Sequence, residues 1–411
     1  MTNAVLEMQK FAIDRSRYDE ANEDASLVKA PVGLTEDVVK MISRSKNEPE
    51  WLLQKRLRAF ELFQQTPLPY FGPSLKDLDL DNIHYFVQPD VKESKSWDEV
   101  PEQIKKTFER IGIPEAERKG FAGTGAQYDS GMVYHNLKKE WEAKGVIFEN
   151  MDVAVQKYPD LVKKYFMTQC IPINDHKFIM LHAAVWSGGT FIYVPPGVKV
   201  DVPLQAYFRM NAEQGGQFEH TLIIADKGSE IHYIEGCSAP RYTQTALHAG
   251  GVEIFVHEGA KVRYSSIENW SKNVYNLNTK RALVDKNGTM IWVSGNMGSG
   301  TTMLYPCSIL RGEGAKTDNL SIVFAGHGQN QDVGGKAIHC APRTSSRITS
   351  RSISKDGGNS TYRGLVKIMP QAVGSTTAVV CDALLLDEQS KSSTIPTLQI
   401  ENNDVQATHE A

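Results

Sequence analysis

Cysteine is a residue type whose side chain can act both as a nucleophile and as a metal ligand once it is deprotonated. The 411 residues of this chain include five cysteines, each more than 30 residues from the next: Cys170, Cys237, Cys307, Cys340 and Cys381. Because no CxxC pair occurs, local spacing supplies neither a dedicated zinc site nor a ferredoxin-type cluster cage. An odd number of isolated cysteines without a secretion signal is typical of reduced thiols in a cytosolic protein.

Of the five cysteines, Cys237 has the local sequence that most favours a functional thiol. It follows a predicted strand and a glycine in IHYIEGCSAP, outside any apolar run. Two interpretations are open, a reactive thiol or a small buried residue, which is the usual state of a free cysteine. Cys381 lies in the apolar run TTAVVCDALLL, which predicts a core position, and Cys340 beside His339 is interpreted as structural.

The motifs and the charge of the chain exclude several other activities. No GxxxxGKS or GxxxxGKT sequence occurs, so ATP hydrolysis would have to come from another chain, and no HExxH spacing occurs among the histidines. The formal net charge of −4 gives no reason to expect nucleic acid or an anionic membrane as a partner. No run of about 18 apolar residues is present, which excludes a membrane-spanning helix.

Near Cys170 the predicted secondary structure of the chain changes from helices to strands. Before that point the chain is predicted to be mostly helical, with Thr35 as the N-cap of TEDVVKMISRS. After it come short β-rich runs separated by glycines, without a convincing long helix. We therefore divide the chain into a helical region over residues 1–165, a β region over 166–400 and the start of a C-terminal segment over 401–411.

The β region contains an internal repeat. Each of YVPPGVKVDV, IADKGSEIHY, FVHEGAKVRY, LVDKNGTMIW and ILRGEGAKTDN ends one apolar strand, turns at a glycine and begins another. The glycines follow one another at intervals of 31, 31, 29 and 26 residues and are Gly197, Gly228, Gly259, Gly288 and Gly314. A near-constant period with one turn chemistry favours a β-solenoid whose corners need φ > 0 over a β-sandwich. The strands alternate, with Val252, Ile254 and Val256 on one face and Glu253 and Phe255 on the other.

Four segments resemble the SufB family, the cluster-scaffold subunits of the SUF iron–sulfur assembly system. They are EPEWLLQKRLRAF, GAQYDSGMVYHNL, KAIHCAPRTSSRITSRSISKDGGNSTYRG and the terminal THEA. The similarity runs from about residue 30 to the end, and GAQYDS favours SufB over its paralogue SufD. The resemblance implies a mainly β protein with a right-handed parallel β-helix core and an N-terminal α-helical region.

The resemblance also implies a function and a set of partners. The chain would be a cytoplasmic scaffold, not an enzyme, that carries a transient iron–sulfur cluster of the 4Fe–4S type. Its partners would be a SufC-type ABC ATPase, SufD or a second SufB, a cysteine desulfurase or sulfur carrier as sulfur donor, and cluster acceptor proteins. A reduced flavin is associated with complexes of this family, although no dinucleotide fingerprint is present in this chain.

The resemblance assigns roles to residues of the β region. It makes Cys237 the thiol that accepts sulfur, and such a thiol should have a cationic neighbour that lowers its pKa. It places five residues along an interior path for sulfur: Arg209, Asn211, Glu268, Trp270 and Lys286. The alternative is that these side chains face solvent, because a charged side chain inside a coil is costly unless it is paired.

The terminal THEA matches the positions of cluster ligands, which makes His409 and Glu410 candidate iron ligands. They would hold iron less strongly than four thiolates, which suits a product that must leave. The alternative is a pair of polar residues at a frayed terminus. Ser390 stands where some family members carry a second cysteine, which puts a thiol ligand there in doubt. The chain stops at Ala411, before the family's ATPase-docking helical segment, which implies a truncated product or another mode of docking.

Two rival functions are considered. A SufD-like structural partner without its own cluster should tolerate replacement of Cys237 by serine. A β-helical carbohydrate-active enzyme would need paired carboxylates or a cationic base in a groove, and usually export. No acidic pair stands out in the sequence.

Overall fold

The computed structural model describes residues 16–111 and 120–410. These residues form a parallel β-solenoid of about eight turns, preceded by a region of a few helices. The predicted mainly β solenoid is therefore confirmed. Parts of the predicted N-terminal region, residues 1–15 and 112–119, lie outside the described residues, as does Ala411 of the THEA motif.

The helices of the described residues precede the first complete coil. They are α1 (Ser16–Asp19), α2 (Glu36–Ser45), α3 (Glu50–Gln65), α4 (Glu102–Ile111), α5 (Lys139–Glu142), α6 (Met151–Lys157), α7 (Pro159–Tyr165) and α8 (Lys177–Val185). Thr35 caps α2, as predicted, because its side chain accepts the backbone N–H of Val38. Within the described ranges, no helix combines the length and the apolar character that crossing a membrane requires.

The strands fall into an entry group and the coils. The entry strands are β1 (Ser26–Lys29), β2 (Val87–Pro89), β3 (Gly123–Tyr128), β4 (Gly131–Leu137), β5 (Ile147–Asn150) and β6 (Thr190–Val194). The first four coils are built from β7 (Leu204–Arg209), β8 (Gly216–Gln217), β9 (His220–Ala225), β10 (Glu230–Ser238), β11 (Ala246–His248), β12 (Gly251–Val256), β13 (Lys261–Asn269), β14 (Val274–Asn276), β15 (Thr279–Val284), β16 (Thr289–Asn296), β17 (Thr301–Leu304) and β18 (Cys307–Leu310). The later coils are built from β19 (Lys316–Ala325), β20 (Asn330–Val333), β21 (Lys336–His339), β22 (Ser345–Ser354), β23 (Asn359–Ile368), β24 (Ser375–Leu385), β25 (Lys391–Ile400) and β26 (Val405–Glu410).

Two sheets enclose the interior of the solenoid. The ten-stranded sheet stacks β7, β10, β13, β16, β19, β22, β24 and β26 in parallel and adds the antiparallel hairpin β3–β4 at its first edge. The fourteen-stranded sheet contains the remaining coil strands, with β5 antiparallel to β6 at one edge. Parallel pairing places equivalent residues of successive coils directly beside one another. The interior is therefore lined by rows of side chains that run along the solenoid axis.

The corners confirm the predicted turn chemistry, with one shift. Gly197, Gly228, Gly259 and Gly314 all have φ between 66° and 70°. In the fourth predicted corner the left-handed residue is Asn287, with φ of 53°, and the following Gly288 is not left-handed. Asparagine tolerates this conformation better than most residues. The corner is therefore formed as predicted, but its left-handed residue is one position before the predicted glycine.

Strand β12 shows why the central strands are buried on both faces. Val252 and Ile254 belong to the interior cluster, whereas Phe255 packs outward against the ring of Tyr165, 4.6 Å between centroids. The predicted alternation is confirmed, but both of its faces are covered. Helices α7 and α8 supply the outer cover.

The boundary between helical and β regions is less sharp than predicted. Strands β3 and β4, which contain most of GAQYDSGMVYHNL, lie in the region predicted to be helical and pair with the solenoid. Helix α8 lies in the region predicted to be β. Its sequence KFIMLHAAV is apolar nearly all round and almost wholly buried. Such a helix has no amphipathic period by which it could be recognised.

The side chain of Glu253 on β12 links the helical layer to the outer face of the fourteen-stranded sheet by hydrogen bonds. One of its carboxyl oxygens accepts the backbone N–H of Met167 at 2.6 Å and lies 3.2 Å from His220 Nε2. His220 Nδ1 is 2.9 Å from His182 Nε2, and His182 Nδ1 is 2.9 Å from the carbonyl oxygen of Ala249. Because a carbonyl only accepts, His182 donates from Nδ1, and its Nε2 accepts the Nδ1–H of His220. Burial raises the pKa of the Glu253 carboxyl group to about 8, so this group is protonated at neutral pH.

Replacing Glu253 by glutamine should flatten the pH dependence of stability. Glutamine has nearly the same size and shape as the protonated carboxyl side chain but does not titrate. The carboxyl pKa is 4.5 without burial and about 8 in the folded chain, so wild-type stability falls as pH rises through that window. We expect Glu253→Gln to reduce the fall between pH 5 and pH 8 by about 3–4 kcal/mol in urea unfolding. The exposed Glu258→Gln is the matched control, and an unchanged pH dependence in Glu253→Gln would contradict the protonated carboxyl.

Candidate functional site inside the solenoid

Cys237 lies on β10 and faces the interior. It belongs to the interior cluster and is 1% exposed. In the parallel ladder its neighbours are Phe208 on β7 and Glu268 on β13. The thiol is thus held by three consecutive coils, whose backbone hydrogen bonds fix its position.

Two carboxylates accompany this thiol. The ligating atoms of Glu219, Glu235 and Cys237 all lie within 4.8 Å of one another, and the three side chains are buried. Burial raises the pKa of the Cys237 thiol well above its ordinary value, and the charges of Glu235 and Glu219 raise it further. Lys280 opposes this shift but does not overcome it. The prediction that a cation lowers the pKa of Cys237 is therefore wrong, because burial and the acidic groups around the thiol outweigh the effect of Lys280.

A chain of hydrogen bonds links these carboxylates across the interior. Glu219 Oε1 is 2.6 Å from His248 Nε2, and His248 Nδ1 is 2.8 Å from Asn276 Oδ1. Asn276 Nδ2 donates to Glu268 at 2.5 Å, and Lys280 Nζ donates to the other oxygen of Glu268 at 2.7 Å. The network draws its members from both sheets and thereby ties the two walls of the solenoid together.

Lys280 is the charged partner on which this network depends. Burial lowers the pKa of Lys280, but Glu268 and Glu235 outweigh burial and hold it above its ordinary value. For Glu268, burial raises the pKa, but Lys280 and His248 outweigh burial and hold it below its ordinary value. The Lys280–Glu268 pair is consequently charged, at 1% side-chain exposure on each side.

Of the predicted path residues, Glu268 and Trp270 lie in the interior. Glu268 is part of the network, and the ring of Trp270 lies 4.2 Å from that of His248. Lys286 does not lie there. It is exposed in the turn after β15, so its predicted interior position is wrong. The buried lysine is Lys280, which alternation in TKRALV places on the same face as Ala282, and this signal was available in the sequence.

Arg209 is buried but points away from the interior. On β7 it shares a face with Tyr207, opposite Phe208, because strand side chains alternate. Its guanidinium donates to the carbonyl oxygens of Tyr18 and Glu20 at 2.9 and 2.8 Å. The predicted interior position of Arg209 is therefore wrong, and the N-terminal segment covers it.

Asn211 follows β7 and also contacts the N-terminal segment. Its backbone N–H donates to Asp129 at 2.6 Å, and its side-chain amide donates to the carbonyl oxygen of Asn22 at 3.2 Å. It lines a cavity of about 130 Å³ together with Tyr128. Its predicted place on an interior path is not supported by these contacts.

A polar row that the sequence reasoning missed runs along the ten-stranded sheet. The ladder places six residues in register: Glu235, Ser266, Ser294, Ser321, Ser350 and Cys381. With about 4.8 Å between coils, the row spans about 24 Å. Beside it, both side-chain amide atoms of Asn296 lack a hydrogen-bond partner among the described residues. Four serines at equal ladder positions were the signal that could have revealed it.

The far end of this row reaches the last coil. Cys381 is only partly buried, contrary to the predicted core position, because the end of β24 and most of β25 are exposed. Its Sγ lies 3.7 Å from His409 Nε2, whereas the neighbouring Glu410 is exposed. Ser390 is 6% exposed and donates to Asp387, so it does not face this pair.

The last coil also exposes large apolar side chains. They are Leu384, Leu385, Leu386, Ile395, Leu398 and Ile400, each at least 41% exposed. Isolated exposed apolar residues are common, but a cluster on and beside β24 and β25, which come from the two sheets, marks a contact surface. Cys381 lies on the same coil, and its partner His409 lies on β26, the strand that stacks on β24.

Comparisons with known proteins agree with this architecture. Residues 34–206 match the SufBD protein N-terminal region, and residues 208–411 match the SufBD core domain of the SUF system for FeS cluster assembly. An iron–sulfur cluster assembly SufBD family protein of Staphylococcus aureus (strain MRSA252) is 53% identical over 395 residues, which cover 96% of this chain and 85% of that protein. A namesake from Staphylococcus saprophyticus is 52% identical over 406 residues, covering 98% of this chain and 87% of that protein. This chain belongs to the SufBD family of the SUF iron–sulfur cluster assembly system.

Proposed function

We propose that this chain is a SufB-type scaffold of the cytoplasm, on which 4Fe–4S clusters are assembled and from which they pass to acceptor proteins. The observation that carries this proposal is the position of Cys237, held inside the solenoid between two carboxylates. The scaffold would work in a complex with a SufC-type ABC ATPase and with SufD or a second SufB. Sulfur would come from a cysteine desulfurase or a sulfur carrier.

The carboxylates give the buried thiol a way to react. Glu235 or Glu219 accepts the proton of the Cys237 thiol, and the thiolate attacks the outer sulfur of a donor persulfide. The sulfur–sulfur bond of the donor breaks, and the donor thiolate leaves and takes up a proton. The product is a persulfide on Cys237, with no net oxidation or reduction. Two electrons from a reduced flavin in the complex would later release the outer sulfur as sulfide.

The polar row supports movement of sulfur away from Cys237. Its hydroxyl groups offer hydrogen bonds to a small sulfur species along the solenoid, and Ser321 and Ser350 already bond each other at 3.1 Å. A small cavity of about 20 Å³ lies against Ser350 and Cys381 at the far end. His409, beside Cys381, and Glu410 would bind iron there.

The exposed apolar residues of the last coil support a partner at that end. A SufD or second SufB subunit that packs on Leu384 and Leu385 would lie close to Cys381 and His409. Such a partner can complete the set of ligands around a nascent cluster. Ligands divided between two chains would also make release easier than a cage of four thiolates from one chain.

Anaerobic reconstitution tests this proposal. The chain is mixed with the SufC-type ATPase, the SufD-type subunit, ferrous iron, cysteine, a cysteine desulfurase, reduced flavin and ATP. We expect visible absorption of an iron–sulfur cluster that co-purifies with the complex and is lost when this chain is omitted. Cluster formation that proceeds equally without this chain would instead support a SufD-like structural role. Absence of any cluster with all components present would contradict the scaffold role.

A further inference from the structure

Three potential metal ligands converge inside the solenoid beside the hydrogen-bond network. Glu219 lies before β9, and Glu235 and Cys237 are two residues apart on β10 and therefore point to the same face. One ligating atom of each lies within 4.8 Å of the others. Exposure is 3% for Glu219 and 1% for each of the other two. This is a mixed set of oxygen and sulfur donors, contributed by one strand of the ten-stranded sheet and by the segment before β9 of the other sheet.

One of these donors is left without a partner. Glu219 Oε1 is bonded to His248, but Oε2 is buried and has no hydrogen-bond partner among the described residues. Burial of an unpaired carboxylate oxygen costs free energy that a bound cation would recover. His248 in turn holds the carboxylate in place through a bond of 2.6 Å, as hydrogen bonds to ligating carboxylates commonly do.

The charges of the site favour a cation with more than one positive charge. Three carboxyl groups, those of Glu219, Glu235 and Glu268, lie in this part of the interior together with Lys280. Lys280 is 2.7 Å from Glu268 and 3.9 Å from Glu235, so Glu268 takes most of its charge. His248 lies 2.6 Å from Glu219 and pairs with it, so the carboxyl group of Glu235 and a thiolate formed at Cys237 are left to be balanced by another group.

We propose that Glu219, Glu235 and Cys237 form a binding site for a divalent first-row transition-metal ion of the ferrous type. Two carboxylate oxygens and one thiolate suit an ion of intermediate softness and leave a further coordination position open. This inference rests on the proposed function, and it would make Cys237 the point at which iron and sulfur first meet. The site lies at the opposite end of the polar row from Cys381 and His409.

Anaerobic titration of the full chain with Co²⁺ tests the site, because Co²⁺ takes similar ligands to Fe²⁺ and a cobalt–thiolate bond has a characteristic absorption band. We expect a saturable band that reaches its maximum at one Co²⁺ per chain. Cys237→Ser should abolish the band. Glu219→Gln should weaken binding by about 10- to 100-fold.

Matched controls separate loss of the site from loss of the fold. Cys307→Ser removes another buried thiol and Glu253→Gln removes a buried carboxyl on the opposite face of the sheet, and both should retain the band. Far-UV circular dichroism and urea unfolding of every variant show whether it is folded. A band that persists in folded Cys237→Ser, or an absent band in the wild-type chain, would overturn the site.

A second readout keeps this inference distinct from the proposed function. Mass spectrometry after incubation with a persulfide donor reports sulfur on Cys237. A chain that accepts sulfur but gives no cobalt band refutes the metal site and leaves the scaffold function standing. A chain that gives the band but accepts no sulfur supports the metal site and contradicts the sulfur-accepting role of Cys237.

Discussion

Replacement of Cys237 by serine should reduce cluster assembly in the reconstituted complex at least about 100-fold, because a serine hydroxyl is not ionised near neutral pH and cannot carry a persulfide. The structure gives this residue no substitute. Around its position in the interior are the carboxylates of Glu219 and Glu235, which can accept a proton but cannot replace the sulfur. The measurement is the initial rate of cluster absorption, together with the mass of the chain after persulfide transfer.

Cys307→Ser is the matched control for this experiment, because Cys307 is also buried but lies away from the interior network. It should assemble clusters at close to the wild-type rate. Urea unfolding of both variants shows whether a hydroxyl in either buried position has unfolded the coil. Normal cluster assembly by a folded Cys237→Ser chain would remove the sulfur-accepting role and favour a structural subunit.

Replacement of Lys280 by methionine should lower the free energy of unfolding by about 3–5 kcal/mol. Lys280 Nζ donates to Glu268 at 2.7 Å and to Ser266 at 3.2 Å, and both partners are buried. Methionine fills a similar volume but leaves the carboxylate of Glu268 without its cation in the interior. The cost arises from that uncompensated charge and is measured by urea unfolding at pH 7.

Lys286→Met gives a direct comparison, since Lys286 lies in an exposed turn six residues further along the chain. Its effect should stay within about 0.5 kcal/mol. The double variant Lys280→Met with Glu268→Gln should recover part of the loss, because it removes the charge that the single variant leaves unpaired. Equal effects of Lys280→Met and Lys286→Met would show that the interior ion pair adds nothing to stability.

The repeat of glycines was sufficient to predict the solenoid, because each corner needs a left-handed residue and each strand between them must alternate. The same pattern could not fix which face of a strand looks inward. Lys286 was assigned to the interior on resemblance, whereas the alternation of Lys280, Ala282 and Val284 identifies Lys280 as the inward-facing lysine. Alternation alone does not exclude Lys286, which is two residues after Val284. The turn at Asn287, which follows the end of β15 at Val284, takes Lys286 out of the strand.

Other features depend on contacts far apart in sequence. Arg209 is buried by the carbonyl groups of Tyr18 and Glu20, about 190 residues away, and no local pattern reveals that contact. The convergence of Glu219 with Glu235 and Cys237 is likewise produced by the winding of one coil. Such groupings become visible only when the positions of successive coils are known.

The antiparallel hairpin β3–β4 at the start of the ten-stranded sheet makes the two edges of that sheet different from each other. At that edge β4 is mostly buried, whereas β26 at the other edge of the sheet is mostly exposed. Fibre growth by edge-to-edge strand addition requires two free ends, and in this protein the hairpin occupies one of them. Strand addition by a second chain should therefore be disfavoured at the hairpin edge of this sheet.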